Sequence, residues 1–348
     1  MHGGLGTFPA KEEGIQHPFS GGSMSVIDIH CHTAGVGAGG SGCFISTRLR
    51  ESWRYRFYLA SFGVTDAELE REGDGLVLRR LAERLAVSTR VQAAVVLALD
   101  GAIDSRGNLD QTRTELFIPN DFLSGQCRRY PNLLFGASVN PLRPDALDRL
   151  DAAAAASAVL VKWLPSIQGT DPADRRLVPF YRRLAELGLP LLTHTGEEQS
   201  FTRADNSLSD PNRLRLPLDE GVTVIAAHCA TSGRSEGQRN RHRLLALFAA
   251  YPNLHADISS LTQVNRLGHL QWVLKHRELH ERLLYGTDMP LPATALTSPW
   301  FHLFSLGPFA ARRLAAIRNP WDRDVALKLA LGMPEQILHN AAGLLRLA

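Results

Sequence analysis

Short apolar runs recur along the chain, and the stretches between them carry apolar positions at helical spacing. Runs of this length read as buried strands, and an i, i+3, i+4, i+7 stripe reads as an amphipathic helix. The runs fall at about 25–32 (SVIDIHCH), 91–99 (VQAAVVLAL), 133–139 (LLFGASV) and 158–164 (AVLVKWL). Four more lie near 190–195 (PLLTHT), 222–228 (VTVIAAH), 254–258 (LHADI) and 283–287 (LLYGT). One helix is expected to start with Asp171 as N-cap and Pro172 at its first position. It presents Leu177, Phe180, Tyr181 and Leu184 on one face and stops at Gly188 before Pro190. Leu244, Leu247, Phe248 and Tyr251 repeat the stripe before Pro252, and Ala152–Ala156 suits a closely packed helix. A helical stretch at 322–331 and a last helix opened by Pro334 (PEQILHNAAGLLRL) form a C-terminal helical extension.

Eight strands alternating with helices imply an α/β fold with a parallel sheet and right-handed crossovers, closed as a (β/α)8 TIM barrel. Residues 25–348 then form a single domain. Residues 1–24 read as a flexible leader without the apolar core of a secretory signal, and Met24 is an alternative start. Two stretches, 33–90 and 289–321, exceed ordinary connections and are expected to be long loops serving as lids or substrate walls. The glycines of GVGAGGSG at 35–42 lack the Lys-Ser/Thr of a phosphate loop and read as a flexible loop. No GxGxxG follows the first strand, which speaks against a dinucleotide site.

Charge excludes some partners. The formal net charge is +3, with 38 basic and 35 acidic residues interleaved, which reads as a solvated surface and suggests no nucleic-acid stripe. No window of 18 apolar residues suggests a membrane span. Four cysteines without a CxxC argue against a disulfide framework or a thiolate zinc site and fit a cytoplasmic location. The expected partner is a small-molecule substrate, with no nucleic acid and no membrane, and a homo-oligomer is compatible with the composition.

Thirteen histidines are the unusual feature. His30 and His32 end the first strand, His194 the fifth and His228 the sixth, and Asp288 follows the eighth. These are C-terminal strand ends, the face where barrel enzymes place their chemistry. By period two, His30 and His32 share an inward face while Cys31 points out, and together they can grip one divalent ion. The same parity groups Val224, Ala226 and His228, and groups Leu284, Gly286 and Asp288, with small residues leaving space beneath each polar group. Asp28 is expected on the face of His30 and His32, deeper, as an acceptor for an imidazole or a neighbouring backbone. Lys162, inside the apolar VLVKWL and on the side of Leu160, is costly there unless paired or neutralised. It reads as an amine of lowered pKa, a charge partner for an Asp or a substrate carboxylate, or a carboxylated metal bridge. His255 and Asp257 are given structural roles. Glu197 and Glu198 face either substrate or solvent. Arg203 and Arg234 are weaker candidates for a substrate carboxylate, and the remaining histidines need no special role.

The segments VIDIHCH (26–32), LVKWLPSIQGTDPAD (160–174), LGLPLLTHTGE (187–197) and VIAAHCA (224–230) resemble the amidohydrolase superfamily, in particular its amidohydrolase-2 branch. LLYGTDMP (283–290) and ILHNAAGLL (337–345) continue the resemblance in order. It implies a distorted (β/α)8 barrel holding one or two divalent ions, zinc first among them. In a mononuclear version His30, His32, His194 and Asp288 bind the ion and His228 positions water or substrate. In a binuclear version Lys162 is carboxylated and bridges two ions, with His30, His32 and Asp288 on one and His194 and His228 on the other. The expected activity is metal-dependent hydrolysis of a small amide, lactone or ester, with Asp288, His228 and Lys162 as catalytic residues. The alternatives are non-oxidative decarboxylation or hydration of a carboxylated aromatic or dienoic acid, and a non-catalytic binding barrel.

Overall fold

The computed structural model describes residues 25–347, so the leader, its two histidines and Met24 lie outside the described residues. The eight expected strands are present: β1 (Ile27–His32), β2 (Ala93–Leu97), β3 (Leu133–Ala137) and β4 (Leu160–Trp163). They continue as β5 (Leu191–Thr193), β6 (Val224–Ala226), β7 (Leu254–Asp257) and β8 (Leu283–Leu284). They pair in chain order and in parallel. The last strand closes onto the first through main-chain bonds from Ile29 N to Tyr285 O (3.2 Å), Asp288 N to His30 O (2.8 Å) and His32 N to Met289 O (2.9 Å). The architecture is the (β/α)8 barrel that the strand count implied.

Strand alternation divides the apolar residues into two layers. Ile27, Ile29, Val95, Leu97, Leu160, Leu192, Ile225 and Leu284 fill the barrel interior. Val161, Trp163, Val224, Ala226, Leu283 and Tyr285 face outward against the helices. The C-terminal extension plugs the bottom of the barrel, where Leu345 and Ala341 join the interior layer and Arg346 N bonds Val159 O at 3.2 Å. With that end closed, ligand access is left to the C-terminal face.

Several local expectations are corrected. The helix preceding β5 is Val178–Glu186, entered by a 3-10 turn that Asp174 caps, while Asp171 accepts from Ala173 N in a separate turn. Its buried face still carries Phe180, Tyr181 and Leu184. The last helix is instead two 3-10 turns, Glu335–Leu338 and Asn340–Gly343. The stretch 33–90 is mostly helical, with helices at Trp53–Phe62, Asp66–Glu72 and Gly75–Ala86. Its Thr65-x-x-Glu68 capping box is a legible start signal. The stretch 289–321 likewise folds into 3-10 turns and a helix at Pro308–Ala315. The glycine loop is pinned, because Asp74 accepts from Val36 N (2.9 Å), Gly37 N (2.9 Å) and Ser41 Oγ (2.5 Å). A Cβ at Gly35 would lie 2.5 Å from Cys43 Sγ, so that glycine serves close packing. No helix among the described residues is long and apolar enough to cross a membrane.

Candidate metal centre

The six residues expected at the site, His30, His32, Lys162, His194, His228 and Asp288, all line one cavity of about 190 Å³ at the C-terminal end of the barrel. Three mechanisms bring them there, and simple alternation accounts for only part of it.

In β1 a bulge intervenes. Asp28 pairs with Ala94 and Cys31 with Val96, three steps on one strand against two on the other. Ile27 and Ile29 point into the barrel, and past the bulge His30 and His32 reach the cavity while Cys31 stays in the outer layer. Asp28 therefore does not share the face of His30 and His32. It lies fully buried, accepting from Thr287 Oγ1 (2.5 Å), Thr287 N (2.9 Å) and Trp321 Nε1 (2.9 Å), and so ties β1 to the end of β8. Burial raises its pKa to about 6, against the opposing hydrogen bonds from Thr287, His30 and Trp321.

On β6, Val224 and Ala226 face outward, so they do not share a side with His228. The chain leaves the strand through His228, Cys229 and Ala230 at φ of 56°, 49° and 45°, and this left-handed turn places the imidazole in the cavity. Asp288 likewise has φ of 64°. Gly286 does leave the expected space, since a Cβ there would sit 3.1 Å from the His30 Cβ. His194 and Lys162 follow alternation from Leu192 and Leu160.

The imidazoles are oriented from behind. His30 Nδ1 lies 2.8 Å from Asp257 Oδ2, which turns Nε2 toward the cavity, where Lys162 Nζ is 3.2 Å away. His228 Nδ1 meets Ser259 Oγ at 2.8 Å, and its main-chain N donates to Asp257 Oδ1 at 2.9 Å. His194 Nδ1 is 3.4 Å from a Glu198 carboxylate oxygen, and its Nε2 is buried with no hydrogen-bond partner among the described residues. Asp288 lies 3.0 Å from His32 Nε2 and 3.7 Å from His30 Nε2, and its other oxygen accepts from Ser260 Oγ. Burial lowers the His30 pKa to about 4 and the Lys162 pKa to about 8, and it lowers those of His194 and His228. Burial pushes Asp288 up, but the hydrogen bond from His32 and the neighbouring imidazoles hold it well below the usual carboxylate range.

This set fits a divalent cation. Ligand atoms of His30, His228 and Asp288 lie within 4.8 Å of one another, and the buried, unpartnered Nε2 of His194 lacks a protein acceptor or donor. Imidazole nitrogen and carboxylate oxygen suit zinc, manganese or iron. The four cysteines are buried and none lines the cavity.

Sequence reasoning missed two functional positions and left a third open. Asp257, read as structural, is fully buried and orients His30 and His228. Its signal was a carboxylate at the end of an apolar strand. Asp257→Asn should weaken binding of the ion by about 10- to 100-fold while leaving the fold intact, as measured by competition against a chelator. An unchanged affinity would remove it from the ligand-orienting role. Arg266 lines the cavity from the loop after β7, with Nη1 buried and unpartnered. Arg203 and Arg234, by contrast, are exposed and donate to Thr112 O (3.1 Å) and Gly237 O (2.9 Å), away from the cavity. Glu198, half of an undecided pair, is buried beside His194.

The amidohydrolase model matches residues 27–323, most of the chain. The chain belongs to the amidohydrolase-2 family. As a family member it stands among metal-dependent enzymes of the amidohydrolase superfamily, which include hydrolases and decarboxylases. Among solved structures, an uncharacterised TIM-barrel protein from Bordetella bronchiseptica is 18% identical, with a TM-score of 0.55 over 91% of this chain and 99% of that one. A probable 2-pyrone-4,6-dicarboxylic acid hydrolase from Acinetobacter baumannii, with citric acid bound, is 14% identical, with a TM-score of 0.50 over 92% and 99%. A 2,6-dihydroxybenzoate decarboxylase in complex with 2,6-dihydroxybenzoate is 14% identical, with a TM-score of 0.49 over 87% and 99%. At these identities the likeness concerns the fold. A search of curated proteins finds no match.

Proposed function

We propose that this amidohydrolase-2 member hydrolyses a small amide, lactone or ester whose body is apolar. The observation that carries the reading is the placement of Asp288. It is a carboxylate held ionised, beside His32 and His30, in a cavity whose wall is largely apolar. Leu49, Tyr55, Tyr58, Leu59, Phe62 and Phe201 supply that wall. It suits a hydrocarbon or aromatic group rather than a sugar or phosphate.

The groups that would hold the ion are His30, His32, His194 and Asp288, with His228, whose ligand atom lies within 4.8 Å of those of His30 and Asp288, as a further ligand candidate. A carboxylated Lys162 bridging two ions is the other ligand set, and mass spectrometry for an added CO2 distinguishes the two. When bound, zinc or a similar ion supplies a water of lowered pKa and a positive contact for the substrate's carbonyl oxygen. The chain's own groups do the rest. Asp288, ionised at neutral pH, accepts a proton and returns it to the leaving nitrogen or oxygen. His228 is buried and neutral; because the Ser259 hydroxyl donates to Asp257, the His228 Nδ1–H points at Ser259 and its bare Nε2 faces the cavity as an acceptor or ligand. Lys162 stands on the same side as His30 and adds a donor there.

Arg266 favours a second reading, decarboxylation of a carboxylated aromatic or dienoic acid. An unpartnered guanidinium group inside the cavity calls for an anion, and a substrate carboxylate would meet it. The two reactions separate on one substrate panel. Hydrolysis incorporates label from 18O-water into the product acid, whereas decarboxylation releases CO2 and leaves the organic product unlabelled. Dialysis against a chelator should abolish either activity, and the same divalent ion should restore it. Full activity in a preparation that elemental analysis finds free of metal would overturn both readings.

A further inference from the structure

The helix Pro320–Ala330 packs outside the barrel and turns polar groups inward. Trp321, Asp324 and Lys328 stand at i, i+3 and i+7, so they share one face. All three are buried, Lys328 completely, and none of them lines the cavity. What this face holds is the chain between β8 and Asp288. The Tyr285 carbonyl still accepts from β1, with Ile29 N at 3.2 Å. The next carbonyl, that of Gly286, accepts from Lys328 Nζ at 2.7 Å. The next residue, Thr287, donates from N and Oγ1 to Asp28, and Trp321 Nε1 donates to that same carboxylate at 2.9 Å. Asp324 aims the ammonium group. Its Oδ2 accepts from Lys328 Nζ at 2.7 Å and from the Tyr285 hydroxyl at 3.0 Å, and Nζ lies 4.9 Å from the centre of the Tyr285 ring.

A fully buried ammonium group is an expensive way to stabilise a fold. Apolar residues of the same volume are often as stable or more so, whereas a charge-assisted bond fixes one acceptor in one place. The acceptor fixed here lies two residues before Asp288. Asp288 leaves the strand at φ of 64°, a left-handed conformation that a non-glycine residue keeps only where its surroundings over-determine it. From the inner side the segment is already confined. Gly286 packs so closely that a Cβ would lie 3.1 Å from the His30 Cβ and 3.2 Å from the Ser259 Cβ. Lys328 supplies a restraint from the outer side.

We propose that Lys328 is a positioning residue for Asp288, acting from outside the barrel through the Gly286 carbonyl. The proposal rests on the reading of Asp288 as a group that holds the ion. Asp324 directs the ammonium group, Asp28 and Trp321 hold the neighbouring Thr287, and the Asp288 carboxylate is thereby kept beside His30 and His32. Without the ammonium group the Gly286 carbonyl is a buried acceptor that has lost its donor, and its peptide rotates to find another. That rotation carries Thr287 and Asp288 with it.

The test uses the whole chain with cobalt(II) as the probe ion, which reads affinity and ligand geometry without a substrate. The variant is Lys328→Met combined with Asp324→Asn. It removes both charges together and leaves an acceptor for the Tyr285 hydroxyl. It should bind cobalt about 10- to 100-fold more weakly in competition with a chelator, and its visible absorption bands should shift. Leu150→Ala, in the buried face of the helix Ala146–Ala155 and away from the cavity lining, is the control for lost stability. It should lower the thermal midpoint and leave both cobalt readouts at wild-type values. In an Asp288→Ala background the Lys328 and Asp324 changes should have no further effect on affinity, because their effect passes through that carboxylate. Wild-type affinity and spectrum in the Lys328→Met, Asp324→Asn variant overturn the proposal and leave the metal reading standing. So does an undiminished effect in the Asp288→Ala background, or an equal loss in Leu150→Ala. A wild type that takes up no cobalt overturns the metal reading, and the proposal with it.

Discussion

Asp288→Asn should reduce turnover by about a hundred- to ten-thousand-fold, the usual contribution of a positioned proton acceptor. The side chain keeps its shape, so the bond from Ser260 and the left-handed turn at this residue can persist. The proton affinity is what disappears. In the wild type the His32 bond and the nearby imidazoles keep the carboxylate ionised against burial, so it is free to accept a proton at neutral pH. An amide cannot do so at any pH. The loss should therefore fall on kcat, with a smaller change in KM, and raising the pH should not recover it. Metal content measured on the same preparation separates loss of the acceptor from loss of the ion. A variant that retains its ion and turns over at the wild-type rate would remove Asp288 from proton transfer and leave it only a ligand role.

The strands were legible because a parallel barrel buries both faces of each strand and writes a continuous apolar run. That same burial hid the direction of individual side chains. Nothing in VIDIHCH marks the bulge that separates Asp28 from His30, because one extra residue leaves the alternation looking intact. The positive φ values of His228 and Asp288 are equally silent, since neither residue is a glycine. Position along the chain nevertheless gathered six candidates that line one cavity, because each lies inside a strand or just beyond its C-terminal end. Asp257 and Arg266 were harder for different reasons. Asp257 works behind the cavity, through His30, and a carboxylate at a strand end looks the same whether it supports the fold or a ligand. Arg266 comes from the loop after β7, and no periodicity places a loop residue in space. The two long stretches were recognised by length but misjudged in kind. They fold into helices and turns, which is how 33–62 can supply Leu49, Tyr58 and Phe62 to the cavity.

Arg266→Ala should lower kcat/KM for a carboxylate-bearing substrate by roughly 10- to 150-fold, corresponding to about 1.5–3 kcal/mol for a charge-assisted hydrogen bond. The guanidinium group is set among Asp288, Glu198 and Asp257, yet its Nη1 is buried without a hydrogen bond. A donor so placed costs free energy in the empty site and recovers it only when an acceptor arrives. Two measurements follow from that asymmetry. The thermal midpoint of the ligand-free variant should stay level or rise, because a partly desolvated cation has been removed. The preference for an acid over its methyl ester should collapse, because only the acid meets the charge. Arg266→Lys should restore part of that preference, since it returns the charge without the forked geometry. If the acid-to-ester ratio is unchanged while both rates fall together, Arg266 supports the loop and the anion is held elsewhere. If the ratio collapses and the thermal midpoint holds, Arg266 is the residue that reads the substrate's charge. The apolar residues lining the same cavity then bound the hydrocarbon part of that molecule.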